Sequence, residues 1–306
     1  MSKFVPILLY SLVMGISSFL SGLIPLAVEI SPANLHYASM FSVGLLISTA
    51  FVLIIKEGLE HYTVDEPIGL WMLTGFAVLF TINSLTSIVS SSSAKPSSSF
   101  EQSFQLDEFD RESSRPFTPP PSSHRHEELG TPFAAKQPPK NLILAPFKNA
   151  QTLGLIIHAL TDGIALAASV LSAPDSSTDL GSMFVVFAIF IHKLPTCFAL
   201  ASLLLAEGLS RIEILHHVGI FSLSSPAGAF LTYLFVTMAI NVDLNEAAGE
   251  LLVFSGGAFL FVAFHALHET LHQNQRPNDK RSQFKALGIC LLGMILPAFI
   301  TLIEEE

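Results

Sequence analysis

Eight apolar segments fill most of this chain, and each is close to the roughly 20 residues that a helix needs to cross a bilayer. They cover residues 4–28, 35–59, 68–89, 152–171, 180–206, 215–240, 251–272 and 284–303. Charged residues make up only 13% of the chain and its mean hydropathy is +0.56, whereas a soluble domain has about 25% charged residues. Because helices satisfy their own backbone hydrogen bonds inside lipid, the sequence predicts an all-α, polytopic membrane protein with eight transmembrane helices.

A segment rich in Ser and Pro at residues 90–149 separates the first three spans from the last five. It has mixed charges and no apolar periodicity, so we expect a disordered loop rather than a domain. The chain is then predicted to consist of residues 1–89 with spans one to three, this loop, and residues 150–306 with spans four to eight.

The positions of Lys and Arg predict the orientation, since these residues are retained on the cytoplasmic side. Those in the segments that connect the spans lie at residues 90–149, at Arg211 between spans five and six, and at residues 276–285 between or beside spans seven and eight. The loops on the other side lack them and carry acidic residues. We therefore expect the 90–149 loop in the cytosol and both termini on the lumenal or extracellular side.

Ionisable residues inside the spans are the main functional signal. Three spans carry an imidazole and a carboxylate four residues apart, and a fourth span carries a further imidazole; these residues are Glu57 with His61, His158 with Asp162, His265 with Glu269, and His192. This spacing places both members of a pair on one face of a helix. A charged side chain inside the bilayer costs roughly 3 kcal/mol or more. A single histidine inside a span is often a structural residue. Ionisable residues in four different spans instead favour a divalent cation that these residues bind together. Imidazole and carboxylate ligands suit zinc, manganese or ferrous iron.

A set of motifs along the spans resembles one transporter family. In chain order they are Gly22-Leu-Ile-Pro25-Leu-Ala-Val28, Glu57-Gly58, His158-x-x-x-Asp162-Gly163, His192-Lys193-x-Pro195 and His265-x-x-x-Glu269. Together they resemble the ZIP (zinc/iron permease) family over nearly all eight spans, and within it the Golgi-type branch. The resemblance implies a ZIP-type helical bundle that moves a divalent metal, usually zinc, from the lumen or exterior into the cytosol by alternating access. It also implies that His158, Asp162 and His192 are ligands of the central metal site.

Two residues of span five depart from that family's pattern. Thr196 stands where many members have a Glu one turn after the span-five ligand, so a fourth ligand must come from elsewhere or be water. Lys193 stands where a second metal would find a carboxylate or an amide, and its charge predicts a single central metal. On the cytosolic side, we expect the metal to leave past His265, His268 and Glu269.

Two other functions compete with transport. His268-Glu269-Thr-Leu-His272 fits the H-E-x-x-H motif of zinc proteases. However, span eight offers no His or Asp as a third ligand, and Asp162-Gly163 precedes the motif, which reverses the order expected of an intramembrane metalloprotease. We therefore do not expect an enzyme. The second alternative is a receptor that binds metal without moving it.

The transport hypothesis also predicts what the protein interacts with. The expected partners are the metal ion and the lipid bilayer, with no nucleic acid, and a homodimer is compatible with the sequence. Metal is the transported substrate, zinc first and manganese as the alternative because the same ligands accept both, and no cofactor is expected. The resemblance favours the Golgi or another secretory-pathway membrane, with the plasma membrane as the alternative.

Overall fold

The computed structural model describes residues 3–28, 31–60, 67–93, 142–172, 180–238, 244–273 and 280–304, and every regular element in these ranges is a helix. In chain order the helices are α1 (Phe4–Ala27), α2 (Pro32–Ser48), a π-helical segment (Thr49–Ile54), α3 (Ile55–Glu60), α4 (Ile68–Ser93), α5 (Ala145–Lys148), α6 (Ala150–Ser172), α7 (Leu180–Ala206), α8 (Arg211–Met238), α9 (Leu244–Gln273) and α10 (Lys280–Glu304). Eight of the described spans are long and apolar enough to cross a membrane, which confirms the predicted fold class.

The second span combines three elements. α2, the π-helical segment and α3 follow one another without a break and correspond to the predicted span at residues 35–59. A π-helical turn bonds to the fifth residue along instead of the fourth and so contains one extra residue. The wider turn shifts the face that α3 presents, and α3 packs against α9.

The predicted loop at residues 90–149 falls mainly outside the described residues. At its two edges the chain is helical, because α4 continues to Ser93 and α5 occupies Ala145–Lys148. A β-region residue, Asn149, separates α5 from α6, and its side-chain Oδ1 accepts a hydrogen bond from the backbone N–H of Thr152 at 2.9 Å. This contact caps the first turn of α6, which is the helix that carries the predicted metal ligands.

α6 is the most enclosed of the eight spans, and α4 is the least. α6 packs against α8 and α9 and also contacts α7, α1 and α4. Helices at the edge of the bundle turn apolar side chains outward; on α1 these include Val5, Leu9, Leu12, Ile16, Leu20 and Ile24. The exposed side of α1 is therefore the kind of surface that a bilayer accommodates, while the polar groups of α6 are enclosed by other helices.

Glycines bring the backbones of α6 and α8 into direct contact. A Cβ atom added to Gly163 would overlap the carbonyl oxygen of Ser225, and one added to Gly228 would overlap the carbonyl oxygen of Leu160. Close approach through small residues is typical of packed transmembrane helices. It places the polar side chains of α8 next to the ligand-bearing face of α6.

Prolines do not interrupt the spans in which they occur. α7 is continuous through Pro195. Hydroxyl groups add hydrogen bonds to nearby carbonyl groups, as transmembrane helices with proline require. Ser21 Oγ of α1 donates to the carbonyl oxygen of Leu194 at 2.6 Å, and Thr196 Oγ1 donates to that of His192 at 2.7 Å.

The two cysteines of the chain, Cys197 on α7 and Cys290 on α10, are free thiols buried between helices. They are 0% and 4% exposed, respectively.

Candidate metal centre

Three predicted ligands meet in the interior of the bundle. His158 and Asp162 come from α6 and His192 comes from α7, and we call these three residues the central cluster. No member of the central cluster is more than 1% exposed, and each offers a ligand atom within 4.8 Å of those of the others. Among the described residues this is the one group of three or more His, Cys, Asp and Glu side chains that close together.

The distances within the central cluster suit a small divalent ion. His158 Nδ1 lies 3.5 Å from Asp162 Oδ1, and His192 Nε2 lies 3.6 Å from Asp162 Oδ2. Ligands bound to tetrahedral zinc at about 2.0–2.2 Å are separated from each other by roughly 3.4 Å. The separation of His192 Nε2 from Asp162 Oδ2 is close to this value, and the ligand atoms of all three residues lie within 4.8 Å of one another, so they would have to approach by up to about 1.4 Å to bind one ion.

His158 is held by contacts with α9. Its Nδ1 lies 2.7 Å from Ser255 Oγ, and its ring stands edge-on to the Phe259 ring with the centroids 4.8 Å apart. When the proton is on Nδ1, this nitrogen donates to the Ser255 hydroxyl and Nε2 keeps its lone pair. Nε2 has no hydrogen-bond partner in the described part of the chain. Ligating imidazoles are commonly oriented in this way by a hydrogen bond at the other ring nitrogen.

A lysine lies beside the central cluster. Lys193 of α7 is fully buried, and its Nζ donates to Asp162 Oδ2 at 3.0 Å and to Ser225 Oγ of α8. The same Nζ lies 5.2 Å from the centre of the Phe221 ring, within the range of a cation–π contact. Ser225 Oγ in turn donates to the carbonyl oxygen of Ala159 at 2.8 Å. The ammonium group thus joins α7 to both α6 and α8 at the candidate site.

Thr196 is fully buried one turn after His192 and provides no carboxylate. Its hydroxyl is engaged with the His192 carbonyl oxygen within its own helix. Within the described residues the central cluster therefore has three ligand side chains of the His, Cys, Asp and Glu types.

A second predicted pair lies away from the central cluster. His265 Nε2 and Glu269 Oε2 on α9 are 4.0 Å apart, and Gln151 Nε2 of α6 donates to Glu269 Oε2 at 2.8 Å. Gln151 precedes His158 by seven residues, which corresponds to about 10 Å along α6. His265 and Glu269 are partly exposed, and His268 is exposed. This pair therefore belongs to the end of the bundle where α6 begins and α9 ends.

Three other predicted residues are described only in part or not at all. Glu57 belongs to α3, but its side chain lies outside the described part of the structure, as does that of His272 at the end of α9. His61 lies entirely outside the described residues. The predicted pairing of Glu57 with His61 therefore stays a prediction.

Three contacts of the site were not predicted from the sequence. They involve Ser255, Ser225 and Gln151, which reach the ionisable groups from neighbouring helices. A weak signal exists for the two serines, because each is a polar residue within a span and directly precedes a helix-disfavouring residue, Gly256 or Pro226. Nothing in the sequence indicates which ionisable group each of them meets.

Comparison with known proteins agrees with this buried site in a helical bundle. A model of the ZIP zinc transporter family matches residues 5–301. This chain belongs to the ZIP zinc transporter family. Zinc transporter ZIP9 of Micropogonias undulatus is 32% identical to this ZIP chain over 98% of each protein, and Zinc transporter ZIP9-B of Xenopus laevis is 29% identical over 99% of each. Zinc transporter YKE4 of Saccharomyces cerevisiae is 21% identical over 87% of the chain and 69% of that protein.

Family membership confirms the resemblance seen in the sequence motifs. The ZIP chain is a multi-pass membrane protein with eight apolar helices. It belongs to a family of transporters rather than of enzymes, so the H-E-x-x-H motif at His268 is not evidence of a protease.

Proposed function

We propose that this protein carries zinc across a membrane and that His158, Asp162 and His192 bind the ion during transport. The observation that carries the proposal is the burial of these three ligand groups, from two different spans, within 4.8 Å of one another. A binding site enclosed by the bundle must open first to one side and then to the other, which is alternating access. The likeness to Zinc transporter ZIP9 proteins supports zinc as the substrate.

The site is proposed to hold one metal ion at a time. Lys193 Nζ lies 3.0 Å from Asp162 Oδ2, so an ion bound to this carboxylate would lie about 5 Å or less from the ammonium group. At an effective dielectric constant of about 20, a divalent ion 5 Å from a single charge is repelled by roughly 7 kcal/mol. A second divalent ion in the same space would have to overcome this repulsion as well as that of the first ion.

Transport is proposed to run toward the cytosol. The distribution of Lys and Arg supports this orientation, with both termini lumenal or extracellular and the 90–149 loop cytosolic. In this orientation the ends of α6 and α9 with Gln151, His265, His268 and Glu269 face the cytosol, and they are proposed to line the exit.

The Golgi or another secretory-pathway membrane is the proposed location, supported by the likeness to ZIP9 proteins and their branch of the family. The plasma membrane is the alternative location. The lipid bilayer is the proposed surrounding of the apolar outer surface, and a homodimer is a second proposal. Glu57 and His61 stay proposed metal-binding residues.

Uptake of zinc into liposomes tests the proposal. Purified protein is reconstituted into liposomes that enclose a zinc-sensitive dye. Wild-type protein is compared with the double variant that carries His158→Ala and Asp162→Ala. We expect the variant to fall to the rate of protein-free liposomes, because only His192 of the central cluster remains. His216→Ala is the control, since this half-exposed imidazole of α8 contacts the Ile212 carbonyl oxygen of its own helix at 2.9 Å. Uptake that survives loss of both ligands would show that zinc follows another route.

Manganese is the alternative substrate, because the same imidazole and carboxylate ligands bind it. Sites of this kind bind zinc more tightly than manganese. In the same liposomes we therefore expect about a tenfold excess of manganese to leave most zinc uptake intact. Complete inhibition by an equal concentration of manganese would favour manganese as the substrate.

A further inference from the structure

Lys193 is the one fully buried lysine in the described part of the chain, and it contacts a proposed metal ligand directly. Repulsion of a second ion explains why a cation is compatible with a one-metal site. It does not explain why a transporter of cations keeps a positive charge within hydrogen-bonding distance of Asp162. A neutral side chain would exclude a second metal as well, because it would offer no ligand.

The charges of the site balance when no metal is bound. Asp162 contributes one negative charge and Lys193 one positive charge, and Lys193 Nζ lies 3.0 Å from Asp162 Oδ2. Without the lysine, the empty site would be a buried carboxylate with no opposite charge, which a membrane interior tolerates poorly. A transporter must pass through this empty state in every cycle after it has released its ion.

The surroundings of Lys193 offer its ammonium group a second position. Ser225 Oγ already accepts a hydrogen bond from Nζ, and this hydroxyl uses its own proton to bind the Ala159 carbonyl oxygen. The face of Phe221 lies 5.2 Å away and attracts cations. The ammonium group can therefore leave Asp162 and keep favourable contacts with α8.

We propose that Lys193 is a tethered counter-ion, which neutralises Asp162 in the empty site and is displaced from this carboxylate toward Ser225 and Phe221 when zinc binds. The inference rests on the proposed transport of zinc. Because zinc must displace the ammonium group of Lys193 from Asp162, zinc binds more weakly than it would without the lysine, and this favours its release. It also lets the empty protein return without an unpaired buried charge.

Two modes of transport separate this role from a structural one. Net uptake into zinc-free liposomes requires the empty protein to return across the membrane. Exchange of isotopic zinc between liposomes loaded with zinc and a zinc-containing medium allows the protein to return with an ion bound. In Lys193→Met, we expect net uptake to fall far more than exchange, so that the ratio of exchange to net uptake rises about tenfold or more. We also expect zinc to bind about tenfold more tightly, since a repelling charge is gone.

Control variants make the result specific. Lys193→Arg keeps the charge and is expected to keep the wild-type ratio of exchange to net uptake within about threefold. Lys280→Met removes an exposed lysine from the first turn of α10 and is expected to change neither mode. All variants are assayed below their thermal unfolding transitions.

Equal losses of exchange and net uptake in Lys193→Met, without tighter zinc binding, would overturn the counter-ion role and leave Lys193 a structural residue. A Lys193→Arg variant that behaves like Lys193→Met would overturn it too, because the charge would then not be what matters. Wild-type protein that moves zinc in neither mode would refute the proposed function itself, which distinguishes that failure from one confined to Lys193.

Discussion

Replacing Ser255 by Ala is expected to weaken zinc binding without removing any ligand. The hydroxyl lies 2.7 Å from His158 Nδ1 and holds the ring from α9. Loss of such a hydrogen bond behind a ligating imidazole typically lowers metal affinity about 10- to 100-fold, or about 1.4–2.7 kcal/mol. Asp162 Oδ1 also lies near Nδ1, at 3.5 Å, and is itself a candidate ligand atom. If His158 Nδ1 donates to Asp162 Oδ1 in the variant, that oxygen is less available to zinc. The new hydrogen bond therefore does not restore the lost zinc affinity.

Calorimetric titration of zinc into the detergent-solubilised protein measures this effect directly, and the half-saturating zinc concentration for uptake should rise by the same factor. Ser18→Ala is the matched control, because Ser18 is equally buried but donates at 2.7 Å to Met14 of its own helix. Zinc affinity of Ser255→Ala within twofold of wild type would refute the reasoning. So would an equal loss of affinity in Ser18→Ala.

Two further predictions concern stability, measured by thermal unfolding of the zinc-free protein. Asp162→Asn and Lys193→Met should each lower the free energy of unfolding by about 3–5 kcal/mol, because each leaves a buried charge unpaired. The double variant should lose clearly less than the sum of the two single losses. Additive losses would argue against the ion pair. Gly163→Ala should destabilise the protein by about 1–3 kcal/mol because its Cβ meets the Ser225 carbonyl oxygen. Gly288 has open space around it, so Gly288→Ala should be neutral or stabilising. A change in the free energy of unfolding of the same sign for both glycine variants would contradict the packing described.

The eight spans could be predicted from sequence because hydrophobic length alone identifies a transmembrane helix. The predicted span at residues 180–206 coincides with α7, and most other ends differ by a few residues. The π-helical segment Thr49–Ile54 was not predicted, since its apolar residues fit an α-helix equally well. The shift from bonding at the fourth residue to the fifth depends on how this span packs, which composition does not record.

The central cluster could be predicted in part for a similar reason. His158 and Asp162 are four residues apart, so helix geometry alone places them on one face. His192 is predicted to join them because its motif, His192-Lys193-x-Pro195, resembles the ZIP family pattern. The contact of Lys193 with Asp162, by contrast, depends on which helices are neighbours and how closely they approach. The sequence indicated the charge of Lys193 and its repulsion of a second metal, but not the carboxylate that it pairs with.

Burial of both native thiols makes this chain well suited to site-directed labelling. Cys197 and Cys290 are shielded from water by neighbouring helices, so a water-soluble maleimide should react slowly with either. A cysteine introduced at an exposed helix end can then be modified selectively, without first replacing the native residues. Labelling of such a position in sealed vesicles, before and after permeabilisation, reads out which face of the membrane it occupies.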